Sequence, residues 1–148
     1  MASKGGPSIN EQETSMPYPY LHFQGHCADA MTFYADVFGG ELTIMKWSDA
    51  PADTPQNIDS DRVMHSQLAF PDGSRLMAGD FPPGMEGDPQ KAVSVTHVVS
   101  DPEEGRTLYD RLAEGGDVID AYSAKFFSSG FGMVRDRYGT HWIIMTEA

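Results

Sequence analysis

The sequence contains an internal repeat, which limits the folds that the chain can adopt. The segment FGGEL at 38–42 corresponds to EGGDV at 114–118, an offset of 76 residues. Towards the end of each half the offset falls to 66, so that Gly73 corresponds to Gly139 and Met77 to Ile143. A longer loop in the first half explains the difference. Two matches in the same order indicate a duplicated module.

Both halves predict the same order of elements: a strand, a helix and three strands. Alternating apolar residues and turn residues predict the strands, at 18–23, 41–47, 62–70 and 74–79 in the first half and at 92–100, 117–122, 131–136 and 140–146 in the second. Apolar residues at helical spacing, followed by a glycine pair, predict helices over 28–38 and 103–114. Residues 80–90, rich in proline and glycine, read as a linker.

We therefore predict one α+β domain over residues 16–148, made of two tandem βαβββ modules at about 16–80 and 92–148. A four-stranded sheet with one helix leaves its other face uncovered. Two such sheets can cover each other or enclose a cleft. We expect a U-shaped mixed sheet around a cavity, with the helices outside. Residues 1–15 are small and polar, and we predict that they form a disordered leader.

Charge and composition exclude several classes of partner. The chain has 10 basic and 22 acidic residues, a net charge of −12. This charge repels phosphate backbones and anionic lipids, so we predict no nucleic-acid or membrane partner. The sequence has no apolar run of about 20 residues and no signal segment, and its single cysteine, Cys27, allows no intrachain disulfide. We expect a cytoplasmic protein.

Three segments resemble PhnB-like proteins, a branch of the vicinal oxygen chelate (glyoxalase/bleomycin resistance/dioxygenase) superfamily: PYLHFQGHCADAMTFYADVFGGEL, VMHSQLAFPDGSRLMAGDFPPG and FGMVRDRYGTHWII. The resemblance covers about residues 16–147. It implies paired βαβββ modules, a homodimer and a cavity in the sheet. It also implies metal-ligand positions near Tyr18, Met77, Ser94 and Ile143, where none of the four residues is a good ligand for a divalent ion. We therefore predict no metal at the usual site and no other cofactor, with a divalent metal at relocated ligands as the alternative.

Strand alternation predicts which side chains face the cavity. The predicted ligand-binding residues are Tyr20, His22, His65, Gln67, Met77, Met133 and Arg135. His22 and His65 are the catalytic candidates, either as an acid–base pair or with His141 in a relocated metal site; the alternative is that each is structural. Arg135 can neutralise an anionic ligand or pair with Asp136 or another nearby acid. Cys27 has either a lowered thiol pKa at the helix start or the role of a small buried hydrophobe.

These observations leave three hypotheses for the function. The first is a small-molecule-binding protein of the glyoxalase/bleomycin-resistance type. The second is a lyase, isomerase or dioxygenase-type enzyme that uses relocated metal ligands or the His22/His65 pair, and the third is a purely structural dimer module. Relatives sometimes carry the name of a ubiquinone-pathway methyltransferase. We reject that activity for this chain, since neither glycine pair opens a helix as a nucleotide-binding loop would.

Overall fold

A computed structural model describes residues 15–147. The first module contains β1 (Tyr20–Phe23), α1 (Cys27–Phe38), β2 (Glu41–Lys46), β3 (Val63–Ala69) and β4 (Arg75–Asp80). The second contains β5 (Ser94–Val99), α2 (Pro102–Ala113), β6 (Asp117–Lys125), β7 (Ser128–Arg135) and β8 (His141–Thr146). The predicted leader, apart from Ser15, lies outside the described residues.

The strands form two mixed sheets with the same topology. Sheet 1 has the order β1-β4-β3-β2, and sheet 2 has the order β5-β8-β7-β6. In each sheet the first and last strands of the module pair in parallel, and the other pairs are antiparallel. The predicted α+β fold of paired βαβββ modules is confirmed. Within residues 15–147 no strand ladder joins the two sheets.

The two helices begin with different caps. At α2 the carboxylate of Asp101 accepts a hydrogen bond from the backbone N–H of Glu103, and Pro102 occupies the first turn. At α1 the N-cap residue, His26, supplies no side-chain cap. The buried carboxylate of Asp80 on β4 instead accepts a hydrogen bond from the N–H of Cys27. Among the described residues neither helix is long and apolar enough to cross a bilayer.

The hairpin between β6 and β7 is longer than predicted. The expected strands ended at residue 122 and restarted at 131, whereas β6 runs to Lys125 and β7 starts at Ser128. Glycine and serine lower the strand propensity of this segment, but close packing favours the longer hairpin. The Tyr122 ring lies against Gly130, where a Cβ atom would come within 2.1 Å of the phenolic oxygen.

The core lies on the helix side of both sheets, and the modules meet through the helices and the turn before β8. Leu68, Leu112, Val134 and Ile144 are fully buried. The Tyr34 hydroxyl on α1 donates to Asp136 Oδ2 at 2.6 Å, and Trp142 Nε1 donates to the same oxygen at 2.8 Å. The Tyr34 bond joins the first module to the second, and the Trp142 bond holds Asp136 in place within the second. The opposite side of each sheet takes no part in this contact.

Candidate functional site

Each sheet has an open face, which we define as the side turned away from its helix. On β1, Leu21 and Phe23 are buried in the core, while Tyr20 and His22 lie on the open face and are exposed. The alternation along β3 likewise buries Ser66 and Leu68. His65 and Gln67 therefore lie half-buried on the open face, as the strand alternation predicts.

Four rings form a continuous run on the open face of sheet 1, and we call them the ring group: His65, Tyr20, His22 and Phe81. The Tyr20 hydroxyl and His65 Nδ1 lie 3.1 Å apart. The centroid of the Tyr20 ring is 5.6 Å from that of His65 and 5.0 Å from that of His22. His22 stacks on Phe81 at 5.0 Å. Tyr20 thus lies between the two histidines that the sequence analysis proposed as a pair.

A mixed row of side chains runs across sheet 1 beside the ring group. Tyr20 pairs with Met77, Met77 with Gln67, and Gln67 with Thr43. Residues paired in this way lie on the same face of a sheet. The predicted binding residues Tyr20, Met77 and Gln67 therefore line one strip of the open face.

The open face of sheet 2 changes from polar to apolar along its strands. Its first row contains charged and polar residues, namely Ser94, His141, Arg135 and Asp117. The next rows are richer in apolar side chains and contain Thr96, Ile143, Met133 and Asp120, then Val98, Met145, Phe131 and Ser123. Met133 and Arg135 thus lie on a different sheet from the other predicted binding residues.

Arg135 forms the ion pair that was the alternative to ligand binding, and its partner is Asp117. Nε of Arg135 donates to Asp117 Oδ2 at 3.0 Å, and the guanidinium makes a second, shorter contact with the same oxygen. Both side chains are about half exposed. Asp136, the partner named first in the sequence analysis, is buried with Tyr34 and Trp142.

The implied metal-ligand positions carry side chains that do not fit a divalent ion. Tyr18 precedes β1, and the open-face residue paired with Met77 is Tyr20. Likewise, Ile143 pairs with Thr96, and Ser94 pairs with His141. With Tyr18 or Tyr20, Met77, Ser94 or Thr96, and Ile143 in the four positions, the groups are phenols, hydroxyls, a thioether and an alkyl chain; the imidazole of His141 enters only if the last position shifts to the partner of Ser94. Among residues 15–147 no three His, Cys, Asp or Glu side chains converge.

The other three histidines are not part of the ring group, although His26 lines a second cleft together with His22 and Phe81. His97 lies at the contact between the modules, 4.6 Å from the centroid of Phe38, and burial lowers its pKa from 6.5. His26 is exposed and stacks on Tyr138. His141 belongs to sheet 2, and its buried Nδ1 has no hydrogen-bond partner within residues 15–147. The structure therefore does not bring His141 to His22 and His65 within one chain.

The thiol of Cys27 has the environment of a buried hydrophobe. Its side chain is fully buried, and Sγ lies 3.5 Å from Ser66 Oγ. Burial raises the pKa of the Cys27 thiol to about 12. The interpretation as an inert buried residue is confirmed, because a reactive thiolate needs a lowered pKa and access to solvent.

A cleft of about 670 Å³ adjoins the ring group and is lined partly by the linker. The sequence analysis missed its lining residues Phe81, Lys91, Val95 and Thr140. The side chain of Gln24 holds the linker by donating to Met85 O at 2.6 Å and accepting from Gly87 N at 3.2 Å. The one sequence signal for the packing of Phe81 is the glycine at position 87, because a Cβ atom there would come within 2.1 Å of the Phe81 ring.

Comparisons with known proteins identify the family of the chain. A family model described as 3-demethylubiquinone-9 3-methyltransferase matches residues 16–145. Protein YjdN of Escherichia coli (strain K12) is 30% identical over 138 residues, which cover 85% of this chain and 91% of YjdN.

Solved structures show the same fold. Protein PA1353 from Pseudomonas aeruginosa is 31% identical with a TM-score of 0.81, covering 90% of this chain and 98% of that one. A putative 3-demethylubiquinone-9 3-methyltransferase, PhnB protein, from Bacillus cereus is 23% identical with a TM-score of 0.67, covering 89% and 99% of the two chains. The chain therefore belongs to the PhnB-like family of that model, and it shares its fold with glyoxalase/bleomycin resistance/dioxygenase proteins.

Proposed function

We propose that this protein binds a small, partly aromatic or apolar molecule between the open face of sheet 1 in one protomer and the open face of sheet 2 in a second. One observation carries the proposal: both open faces are uncovered in a single chain, although they carry aromatic and apolar side chains. Met45 on sheet 1 is 45% exposed and Val98 on sheet 2 is 46% exposed. The helix sides are already filled by the core.

The two faces complement each other chemically. Sheet 1 supplies hydrogen-bonding groups and rings through Tyr20, His65 and Gln67. Sheet 2 supplies an apolar surface formed by Met133, Ile143 and Met145. A ligand pocket typically combines an apolar lining with a few placed polar groups. A two-fold dimer would form two such cavities, each with one wall from either protomer.

The test combines light scattering with a thermal-shift screen of small aromatic and apolar compounds. We expect a dimer in solution and at least one compound that raises the melting temperature. Met145→Glu puts a charge on the apolar open face of sheet 2 and should abolish both results, whereas Thr107→Glu on the exposed side of α2 should change neither. A Met145→Glu protein that stays dimeric and keeps the thermal shift would contradict the proposed cavity.

The second candidate function is acid–base catalysis, because the Tyr20 hydroxyl and His65 Nδ1 lie within hydrogen-bond distance. A metal held by ligands from two protomers belongs to the same alternative. Elemental mass spectrometry of the wild type and of a His22→Ala/His65→Ala double variant separates these ideas. About one equivalent of metal that is lost in the double variant would favour a metalloenzyme and oppose the metal-free interpretation.

We do not extend the methyltransferase activity named in the family description to this chain. The segments before α1 and α2 end in His26 and Asp101 and contain no glycine-rich nucleotide-binding motif. Calorimetric titration with S-adenosylmethionine should therefore give no binding heat. Binding at micromolar concentration would reopen that activity.

A further inference from the structure

The side chain of Tyr20 is held in place from several sides. It extends over Gly79 on β4, where a Cβ atom would lie 2.9 Å from the phenolic oxygen. His22 packs beside the ring at 5.0 Å, and His65 stacks on it at 5.6 Å. The missing side chain at Gly79 thus leaves room for the hydroxyl to reach across β4 to His65 on β3.

The hydrogen bond between Tyr20 and His65 has a preferred direction. Within residues 15–147, His65 Nδ1 is the one hydrogen-bond partner of the Tyr20 hydroxyl. A phenol O–H is a stronger donor than a neutral imidazole N–H, and a bare imidazole nitrogen is a stronger acceptor than a phenol oxygen, so the hydroxyl donates and Nδ1 accepts. Burial, followed by the influence of Cys27, raises the pKa of Tyr20 above its ordinary 10, so the phenol keeps the proton that it donates.

A donating Tyr20 hydroxyl fixes the form of the imidazole. Neutral histidine has one N–H and one bare nitrogen. Since Nδ1 accepts, the proton must be on Nε2. Nε2 makes no hydrogen bond with residues 15–147. It is not one of the buried side-chain atoms that lack a hydrogen-bond partner, so it is accessible to solvent. It is therefore a free donor on the open face of sheet 1.

We infer that Tyr20 is a positioning residue that holds His65 as the Nε2–H tautomer, and that this N–H recognises an acceptor oxygen on an aromatic ligand. The inference rests on the proposed function and specifies its ligand class. The rings of Tyr20, His22 and Phe81 provide flat surfaces for the aromatic part of the ligand. On sheet 2 the counterpart of His65 is Phe131, which has no donor.

The first test reads the tautomer directly. Two-bond ¹H–¹⁵N correlation spectra, recorded well above the usual imidazole pKa of about 6.5, distinguish a protonated Nε2 from a protonated Nδ1. We expect Nε2–H for His65 in the wild type and a mixture of tautomers in Tyr20→Phe. Tyr18→Phe, which removes a hydroxyl that contacts Met16 and not His65, should leave the spectrum of His65 unchanged. An Nδ1–H tautomer in the wild type, or no change in Tyr20→Phe, would overturn the role of Tyr20.

The second test uses acetophenone as the probe and ethylbenzene as its analogue without oxygen. Acetophenone should shift the His65 Nε2 resonance, and Tyr20→Phe should weaken its binding about two-fold, because an even mixture of tautomers halves the population that presents Nε2–H. Ethylbenzene should leave Nε2 unshifted and bind the two proteins equally. Equal weakening for both probes would contradict the recognition of an oxygen acceptor. If neither probe binds the wild type although the thermal-shift screen finds a ligand without an acceptor oxygen, the ligand class fails and the proposed binding function stands, while the tautomer still decides the role of Tyr20.

Discussion

The open faces of the two sheets differ much more than their helix sides do. On the helix side, many corresponding strand residues are apolar in both modules, such as Leu68 with Val134 and Leu76 with Trp142, and the exceptions include Leu21 with His97 and Phe70 with Asp136. On the open face the chemistry changes between counterparts: Tyr20 with Thr96, His22 with Val98, His65 with Phe131 and Gln67 with Met133.

The difference shows which constraint acts on each face. The helix side must fill a close-packed core, where size and apolar character are restricted in both modules. The open face takes no part in that core, so its residues were free to diverge after the duplication. Sheet 1 carries rings and hydrogen-bonding groups there, whereas sheet 2 carries one charged and polar row followed by rows richer in apolar side chains.

The largest predicted effect separates the two faces of one strand. Leu68→Ala removes a fully buried side chain and should lower the free energy of unfolding by about 2–5 kcal/mol. Its neighbour Gln67 lies on the open face, and Gln67→Ala should change that free energy by only about 0.5 kcal/mol. Urea denaturation of both variants measures the contrast. Similar losses in the two would mean that the open face is packed as tightly as the core.

The next prediction concerns a contact between the modules that the first module does not duplicate. The Asp136 carboxylate accepts hydrogen bonds from Tyr34, Trp142 and the backbone N–H groups of Tyr138 and Thr140. Burial, followed by the Asp136 charge, raises the pKa of Tyr34 and keeps it a donor. Asp136→Asn replaces one acceptor oxygen by an NH₂ group, which cannot accept from the donors that face it. The free energy of unfolding, measured by urea denaturation, should fall by about 2–3 kcal/mol.

The control for this change is Asp72→Asn in the hairpin of sheet 1. Asp72 is exposed, and the counterpart of Asp136 in that hairpin is Phe70. The control should cost less than about 1 kcal/mol. An equal loss in both variants would show that the buried network does not hold the modules together.

A smaller effect is expected from pH. His97 lies at the module contact near Phe38 and Phe70, with the charges of Glu104 and Asp72 acting on it, and its folded pKa is lowered from 6.5 by burial. The unfolded chain therefore binds the proton first as pH falls. The contribution of neutral His97 to the free energy of unfolding has its full value above about pH 7.5, and it decreases as pH falls through about 6.5.

His97→Leu, which introduces the residue of its counterpart Leu21, should reduce this loss between about pH 7.5 and about pH 5.5. Urea denaturation at both pH values measures the change in each protein. His26→Leu serves as the control, because it removes a histidine that is exposed. A pH dependence that is the same with and without His97 would show that the loss comes from other groups.

The sequence predicted local features well because they depend on nearby residues. The repeat and the glycine pairs identified the order of elements, and alternation put Tyr20, His22 and His65 on one face. It could not show that Tyr20 lies between the two histidines. That arrangement depends on the small residue Gly79 on the neighbouring strand.

Features that join distant parts of the chain were missed, because patterns of nearby residues carry no information about such contacts. Tyr34 and Asp136 are 102 residues apart, and no local pattern links them. Phe81 follows the end of β4 in a segment read as linker, and the packing of Gly87 and the stacking of His22 show that its ring is covered. The placement of Met133 and Arg135 on the second sheet followed from the repeat, but the pairing of Arg135 with Asp117 required the strand register.

The smallest predicted effect exchanges counterparts on the open faces. Met77→Ile and Ile143→Met nearly conserve volume, and each side chain is half-buried outside the core, so each change should alter the free energy of unfolding by less than about 1 kcal/mol. Urea denaturation at one fixed protomer concentration measures this, because dimerisation makes apparent stability depend on concentration. A loss above about 2 kcal/mol in either variant would mean that the two open faces pack directly on each other in the dimer. In that case the proposed cavity would be closed, because a ligand-sized space between the faces tolerates such a change and a close-packed interface does not.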